Sequence, residues 1–224
     1  MMDWSPLILT FQLALVTTLL LFLISLPISY WLAQSKSRIK PIIESLVALP
    51  IVLPPTVLGF YLLLAFGPSD GFGKWLDESI GLRLVFSFEG LVLASMIYSL
   101  PFMVHPIQSG LSGLNRSLVE SSYILGKSKL QTFLHVQLPN IKPSLVTGIV
   151  LAFAHTIGEF GVVLMIGGNI PGKTRVASIA IYDEVESLNY ASANAYSMIL
   201  IAFCFAILLI VFIINGGYLK KQLP

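Results

Sequence analysis

The sequence predicts an all-α integral membrane protein: one domain of five transmembrane helices with a cytoplasmic helix-turn-helix in the third connection. Three observations predict it. Of 224 residues, 56% are hydrophobic and only 11% are charged, against about a quarter charged in a soluble domain. The charges leave five long gaps. No Asp, Glu, Lys or Arg stands between Asp3 and Lys36, Glu44 and Asp70, Glu89 and Arg116, or Glu186 and Lys220, and only Glu159 stands between Lys142 and Lys173. Each gap can supply the roughly 20 apolar residues that one helical crossing needs. Finally, Lys and Arg gather in alternate connections, as a fixed orientation across a bilayer demands.

The first crossing is expected at residues 6–33. It does not read as a cleavable signal, because Asp3 and no basic residue precede it and the apolar run outlasts an h-region. Lys36, Arg38 and Lys40 follow in the first connection, Arg116, Lys127, Lys129 and Lys142 lie in the third, and Lys220 and Lys221 lie in the C-terminal tail. These are nine of the 13 basic residues, so this side is cytoplasmic and the N-terminus is outside. The opposite connections hold Lys74, Arg83, Lys173 and Arg175 among six acidic residues. The formal charge of +2 therefore reports topology and carries no case for nucleic acid.

The second crossing, expected at 43–66, contains Pro50, Pro54 and Pro55, followed by Thr56 and Gly59. Prolines remove backbone hydrogen bonds and bend the helix. Counted from Glu44 at 1.5 Å per residue, Pro54 lies about 15 Å into a core about 30 Å thick. Broken backbone at that depth is tolerated only where it packs in protein or lines a cavity. Pro54, Pro55 and Thr56 are thus candidates for a pathway wall, with Thr56 and freed N–H groups open to an anion; a packed structural kink is the alternative. The third crossing, 88–111, carries Pro101 and Pro106 near its cytoplasmic end, where a kink would redirect the chain, and His105 between them reads as a hydrogen-bonded side chain.

The third connection, 114–142, is a helix, a break and a second helix. Ser117 with Glu120 and Ser128 with Gln131 form capping-box patterns. Gly126 stands where a left-handed residue would end the first helix. Leu130, Phe133, Leu134 and Val136 give the second an apolar stripe, Pro139 stops it, and Pro143 suits the start of the next helix. Such an amphipathic helix either docks into a partner's groove or lies on lipid headgroups.

The fourth crossing, 144–167, carries His155 and Glu159 at i, i+4 spacing, which would put them on one helix face. A charged residue at membrane depth is a functional candidate by default. Its sign argues against direct contact with an oxyanion, so Glu159 reads as a buried partner of His155 or of a donor on another helix. Gly158, Gly161, Gly167 and Gly168 would let helices approach closely. Beyond, Asn169, Lys173, Thr174 and Arg175 stand at the outer mouth, where they would attract a dianion, snorkel at headgroups or meet an acidic partner surface. A short external helix is expected over residues 176–188, and the fifth crossing over 195–215. The single cysteine, Cys204, excludes an intrachain disulfide.

The third connection resembles the EAA loop of the permease subunits of bacterial ATP-binding-cassette importers: Glu-Ala-Ala, three residues, Gly, nine residues, Ile, one residue, Leu-Pro. Glu120, Gly126, Leu138 and Pro139 match at the right distances, Val136 replaces Ile, and Ser121 and Ser122 stand for the alanines. The resemblance implies the fold of those permeases, the MetI-like type, and a coupling element at Glu120, Ser121, Ser122, Gly126, Leu138 and Pro139 seated on an ATPase subunit. Four stretches, 48–59, the loop, 158–175 and 178–183, resemble the molybdate branch of that family. What this implies is a homodimer whose interface forms the molybdate pathway, with two ATPase subunits holding ATP and Mg, an extracytoplasmic oxyanion-binding protein, and membrane lipids around it. Tungstate or sulfate and thiosulfate are the alternative solutes.

The chain itself has no phosphate loop of the G-x-x-x-x-G-K-[ST] type, no nucleophile–base set and no His/Cys/carboxylate grouping suited to a metal. It is expected to be a transporter subunit without an ATPase site, with no cofactor or metal of its own. A stand-alone secondary transporter is the more distant alternative, and it would call for coupled titratable residues or an internal repeat. Glu159 is the only acid expected to be buried.

Overall fold

The computed structural model of the chain describes residues 3–69 and 71–215; Asp70, Lys220 and Lys221 lie outside them. The described residues form helices, connected in the order α1 (Ser5–Gln34), α2 (Lys40–Val52), α3 (Pro55–Phe66), α4 (Gly71–Ile80), α5 (Phe88–Ser112), α6 (Arg116–Ile124), α7 (Lys129–Thr132), a π turn (Phe133–Gln137), α8 (Leu138–Asn140), α9 (Lys142–Ile157), α10 (Gly161–Gly167), α11 (Ala177–Glu186) and α12 (Tyr190–Asn215).

Three helices, α1, α5 and α12, are singly long and apolar enough to cross a bilayer. Two bent pairs have the composition of further spans: α2 with α3, and the helical stretch Lys129–Asn140 with α9. Helix α1 has 30 residues, about 45 Å at 1.5 Å per residue, longer than the hydrocarbon core. Its inward face repeats every three or four positions: Leu13, Ala14, Thr17, Leu21, Ser25, Ser29 and Leu32 are buried, while Leu15, Leu19 and Leu23 are exposed. Small and hydroxylated residues on that face let backbones approach, which is how helices associate when lipid supplies no hydrophobic contrast. Ser29 Oγ donates across to Val104 O of α5 at 3.2 Å.

Helices α1, α5 and α9 make the centre. One cluster, toward the end that holds Asp3, joins Leu9 and Leu13 of α1, Leu91 of α5, and Val162, Val163 and Ile166 of α10. A second, toward the other end, joins Leu21 of α1, Met103, Ile107 and Leu111 of α5, Ile141, and Ala152 of α9. Helix α5 stays a single helix through Pro101 and Pro106, so neither proline redirects the chain as the sequence suggested. Helix α12 buries Ala193 and Tyr196 but leaves Ile201, Phe205 and Phe212 exposed.

The alternation of ends is visible in contacts. Tyr196 Oη donates to Asp3 O at 2.6 Å and Phe86 N to Ile166 O at 2.9 Å, so these four segments share one end. At the other end Lys36 of the first connection and Arg116, Glu120 and Gln137 of the third border one recess.

Two expected spans are not single helices. The 43–66 segment is α2 and α3, bent by 113° at Leu53 and Pro54. The two extended residues, Leu53 (ψ 137) and Pro54 (ψ 134), precede prolines, and the ring of the following proline disfavours helical backbone there. Pro50, with no proline after it, stays inside α2. The 144–167 segment is also broken: α9 ends at Ile157 and α10 begins at Gly161. Helix α4 was not foreseen. Its exposed Phe72 and Trp75 stack at 5.8 Å, and Gly73 lies against the end of α3, where a Cβ would fall 2.3 Å from Gly67 O.

Candidate functional site

The third connection is held from within and apolar at its tip. Asn115, not Ser117, caps α6: its Oδ1 accepts from Ser117 N at 3.0 Å and from Ser117 Oγ at 2.9 Å. The Ser117–Glu120 capping box is thereby corrected, since the helix starts two positions earlier than that pattern requires. Gly126 has φ +76°, the left-handed conformation expected of it, with Gly126 N donating to Tyr123 O and Lys127 N to Ser122 O. The Ser128–Gln131 box is present in both directions. Between the arms, the buried Ser122 and Thr132 hydroxyls meet at 2.8 Å, an interaction that an alanine at 122 would lack.

Pro139 does not stop the second arm. It sits within the continuous helical stretch Lys129–Asn140, directly after the π turn, and the arm ends at Ile141 with a 76° turn into α9. The π turn adds a residue and rotates the stripe. Phe133 faces inward, 4.8 Å from the Tyr30 ring, and Leu138 packs against the second core cluster. Leu130 and Leu134 point outward instead. With Ile124 at 85% and Leu125 at 78% exposure, they form an apolar tip. Glu120 and Ser121 are exposed beside it, and Glu120 has no ion pair among the described residues.

The broken segments meet in the membrane part. Pro55 and Thr56 at the start of α3, Tyr98 of α5, His155 of α9, and Gly158, Glu159 and Gly161 line a recess of about 460 Å³. Close approach brings them together: a Cβ on Gly161 would fall 2.8 Å from Pro55 Cβ, and one on Gly59 would fall 2.7 Å from Met165 Cβ. Gly167 is equally tight against Leu91. Gly158 has no such contact, and Gly168 serves a left-handed turn with φ +64°, so only two of the four glycines read as contact residues act that way. The recess thus joins Pro55, Thr56 and Glu159, while Pro54 forms the bend beside it.

Glu159 is 4% exposed, and neither carboxyl oxygen has a hydrogen-bond partner among the described residues. The expected pairing with His155 is absent because the helix ends at Ile157, so the i, i+4 relation does not hold. His155 Nδ1 lies 2.9 Å from Ser99 Oγ instead. The backbone of Glu159 is fixed, its carbonyl accepting from Ser178 Oγ at 2.6 Å. An unpaired ionised carboxylate at such a place is costly.

His105, expected to be hydrogen-bonded, is exposed and has no hydrogen-bond partner among the described residues. It borders a recess of about 590 Å³ with Glu44 and Gln108, which bond to each other at 2.6 Å.

At the opposite end, the residues grouped as an outer mouth hold one another. Thr174 is fully buried, donates to Gly167 O at 2.7 Å and accepts from Ile170 N at 3.1 Å. It staples the turn and has no free donor for an ion, which corrects its assignment as a mouth donor. Arg175 bonds Asn169 Oδ1 and pairs with Asp183 at 3.3 Å. Lys173 is exposed and has no ion pair among the described residues. Residues missed by sequence reasoning are Thr132, Ser99 and Tyr98; each is an unremarkable residue in its own segment, and only the fold gives it a partner.

Residues 25–223 match the family described as binding-protein-dependent transport system inner membrane component. The chain is 46% identical over 207 residues to the molybdenum transport system permease protein ModB of Azotobacter vinelandii, covering 92% of this chain and 91% of the relative. It is 33% identical to ModB of Escherichia coli (strain K12), covering 83% and 81%. A probable sulfate transport system permease protein, cysT of Prototheca wickerhamii, is 34% identical, covering 92% and 79%. Among solved structures, the inward-facing MetNI methionine ABC transporter is similar with TM-score 0.73 at 16% identity, covering 95% of this chain and 94% of that one. A bacterial alginate ABC transporter in complex with a periplasmic protein carrying an alginate pentasaccharide is similar with TM-score 0.75 at 17% identity, covering 97% and 78%.

Proposed function

The chain belongs to the family of binding-protein-dependent transport system inner membrane components, and on that premise we propose that it is the permease subunit of a molybdate importer. As a member of that family it is a multi-pass membrane component of an ATP-driven importer rather than an enzyme. Two copies would form the pathway at a two-fold interface, because five crossings are few to enclose a gated pore. Two separate ATPase subunits would hold ATP and Mg, and an extracytoplasmic oxyanion-binding protein would deliver the solute. The bias of Lys and Arg among the connections supports an N-terminus outside and a C-terminus in the cytoplasm.

The observation that carries the coupling role is the third connection. Its arms are locked by the Ser122–Thr132 contact and the capping box, yet its tip exposes Ile124, Leu125 and Leu130. A stiff loop with an apolar end transmits displacement, and such a tip fits a hydrophobic groove on a partner better than water. ATP binding would draw the two ATPase subunits together, press on Glu120, Ser121, Gly126 and Leu138–Pro139, and turn α9 through the bend at Ile141. Because α9 carries His155 into the recess, that motion reaches Pro55, Thr56 and Glu159.

Molybdate rests on the two molybdenum permeases. Sulfate is the second reading, favoured by the relative from Prototheca wickerhamii. The test is ATP hydrolysis by the ATPase partner in liposomes with this chain and with capture protein loaded with molybdate, tungstate or sulfate. Stimulation by one loaded form, lost in Glu120→Ala and Gly126→Pro, supports the reading and names the solute. No binding of the ATPase to this chain would return the stand-alone transporter to first place.

A further inference from the structure

The recess between α3, α5 and α9 contains no permanent cation. None of its lining residues is Lys or Arg, and α1, α3 and α12 carry no Asp, Glu, Lys, Arg or His. An anion that leaves water for such walls needs a compensating positive charge, since an unpaired ion in a low-dielectric site is strongly disfavoured. Thr56 and Tyr98 offer only neutral hydroxyls, and Glu159 can be neutral or negative. The one lining side chain that can become a cation is His155.

The hydrogen bonds around His155 fix which nitrogen is free. Thr156 Oγ1 donates to Ala152 O at 2.9 Å. Ser99 Oγ lies 3.1 Å from Thr156 Oγ1 and 2.9 Å from His155 Nδ1. Each hydroxyl has one proton. Thr156 spends its proton on Ala152, so Ser99 must give its own to Thr156, and the contact with His155 requires a proton on Nδ1. This arrangement satisfies all three contacts. In the neutral ring it leaves Nε2 as a bare acceptor, which repels an oxyanion. Protonation at Nε2 turns the same atom into a charged donor. The ring is also stacked on Phe102, with centroids 4.0 Å apart, and touches Tyr98 at 4.7 Å; aromatic faces stabilise a cation.

We infer that His155 is the proton-accepting residue of the pathway, and that a tetrahedral oxyanion occupies the recess together with one proton on Nε2. The proton comes from water, forming an N–H bond at the Nε2 lone pair, and returns to water when the anion leaves. The titratable groups facing His155 are Tyr98 from α5 and Glu159 from the break after α9. The inference rests on the reading of this recess as part of the translocation pathway.

The test is molybdate uptake per ATP hydrolysed by the complete importer in proteoliposomes, from about pH 6 to about pH 9, across the range where histidine titrates. The wild type should lose uptake on the alkaline side, approaching about tenfold per pH unit for one proton per anion. His155→Gln should lower uptake at least about tenfold at every pH, as loss of a charged donor implies. His155→Arg should restore it with a flat profile. Ser99→Ala, which frees Nδ1, should shift the alkaline limb while uptake at acidic pH persists. Co-purification with the ATPase subunit verifies that each variant assembles. Wild-type uptake and pH profile in His155→Gln would overturn the inference, as would an unshifted limb in Ser99→Ala. Thr56→Trp separates the two levels: if it blocks uptake while His155→Gln does not, the pathway stands and the proton role falls. If both variants transport normally, the recess is not the pathway.

Discussion

Replacing Gly126 tests the loop with a perturbation whose cost can be worked out. Its φ of +76° is open to glycine and costs an L-residue about 1–2 kcal/mol. A Cβ added there meets nothing within 4 Å, so the cost is purely conformational, with no clash to add. In the free chain Gly126→Ala can relax by letting the turn between Ile124 and Ser128 change shape. Seating the tip on the ATPase subunit then requires that turn to be rebuilt. An energy of about 1–2 kcal/mol corresponds to roughly 5–30-fold weaker association. Gly126→Asn should lose less, because asparagine tolerates the left-handed region, and Gly126→Val should lose more. The assay is titration of the ATPase subunit onto the chain in nanodiscs, with the order Gly, Asn, Ala, Val expected in affinity. Equal affinity for all four would refute the claim that this turn must hold its shape for docking.

The remaining predictions concern other contacts. Thr132→Val should lower thermal stability by about 1–3 kcal/mol by stranding the Ser122 hydroxyl, and Ser122→Ala with Thr132→Val together should cost less than the sum; a thermal-shift double-mutant cycle reads this. Thr174→Val should destabilise by a similar amount, about 1–3 kcal/mol, because it breaks two buried hydrogen bonds; uptake at saturating molybdate, normalised to folded protein, should hardly change. Leu125→Glu should abolish ATPase association in the nanodisc titration while leaving the melting temperature of the isolated chain within experimental scatter, since the side chain is 78% exposed.

Part of this architecture is legible in the sequence because charge is so costly in a bilayer: long gaps between charges fall on α1, α5 and α12, the helices singly long and apolar enough to cross one. The Gly126 turn and the Ser128–Gln131 box were readable for a local reason: both depend on the chain within a few residues. What escaped depends on tertiary structure. The i, i+4 pairing of His155 with Glu159 assumes a continuous helix, and the chain leaves α9 at Gly158 to bring Gly161 against Pro55. His155 then finds Ser99, 56 positions away. The stripe in the third connection was read at a uniform helical period, which the π turn at Phe133–Gln137 breaks. Thr174 looked like a donor at a mouth because its segment is polar, but the loop curls around it and uses both functions of its hydroxyl. Helix α4 was missed because its ten residues fall in a charged connection between spans, below the length at which hydropathy speaks.

The most direct test of the central claim is concentrative molybdate uptake by proteoliposomes containing this chain, the ATPase subunit and the capture protein, in one preparation with wild-type loop and one with Ile124→Glu and Leu125→Glu. Uptake against a gradient that requires ATP and capture protein, and that disappears in the loop variant, is the expected result. Uptake by this chain without ATPase or capture protein, or undiminished uptake by the loop variant, would contradict it.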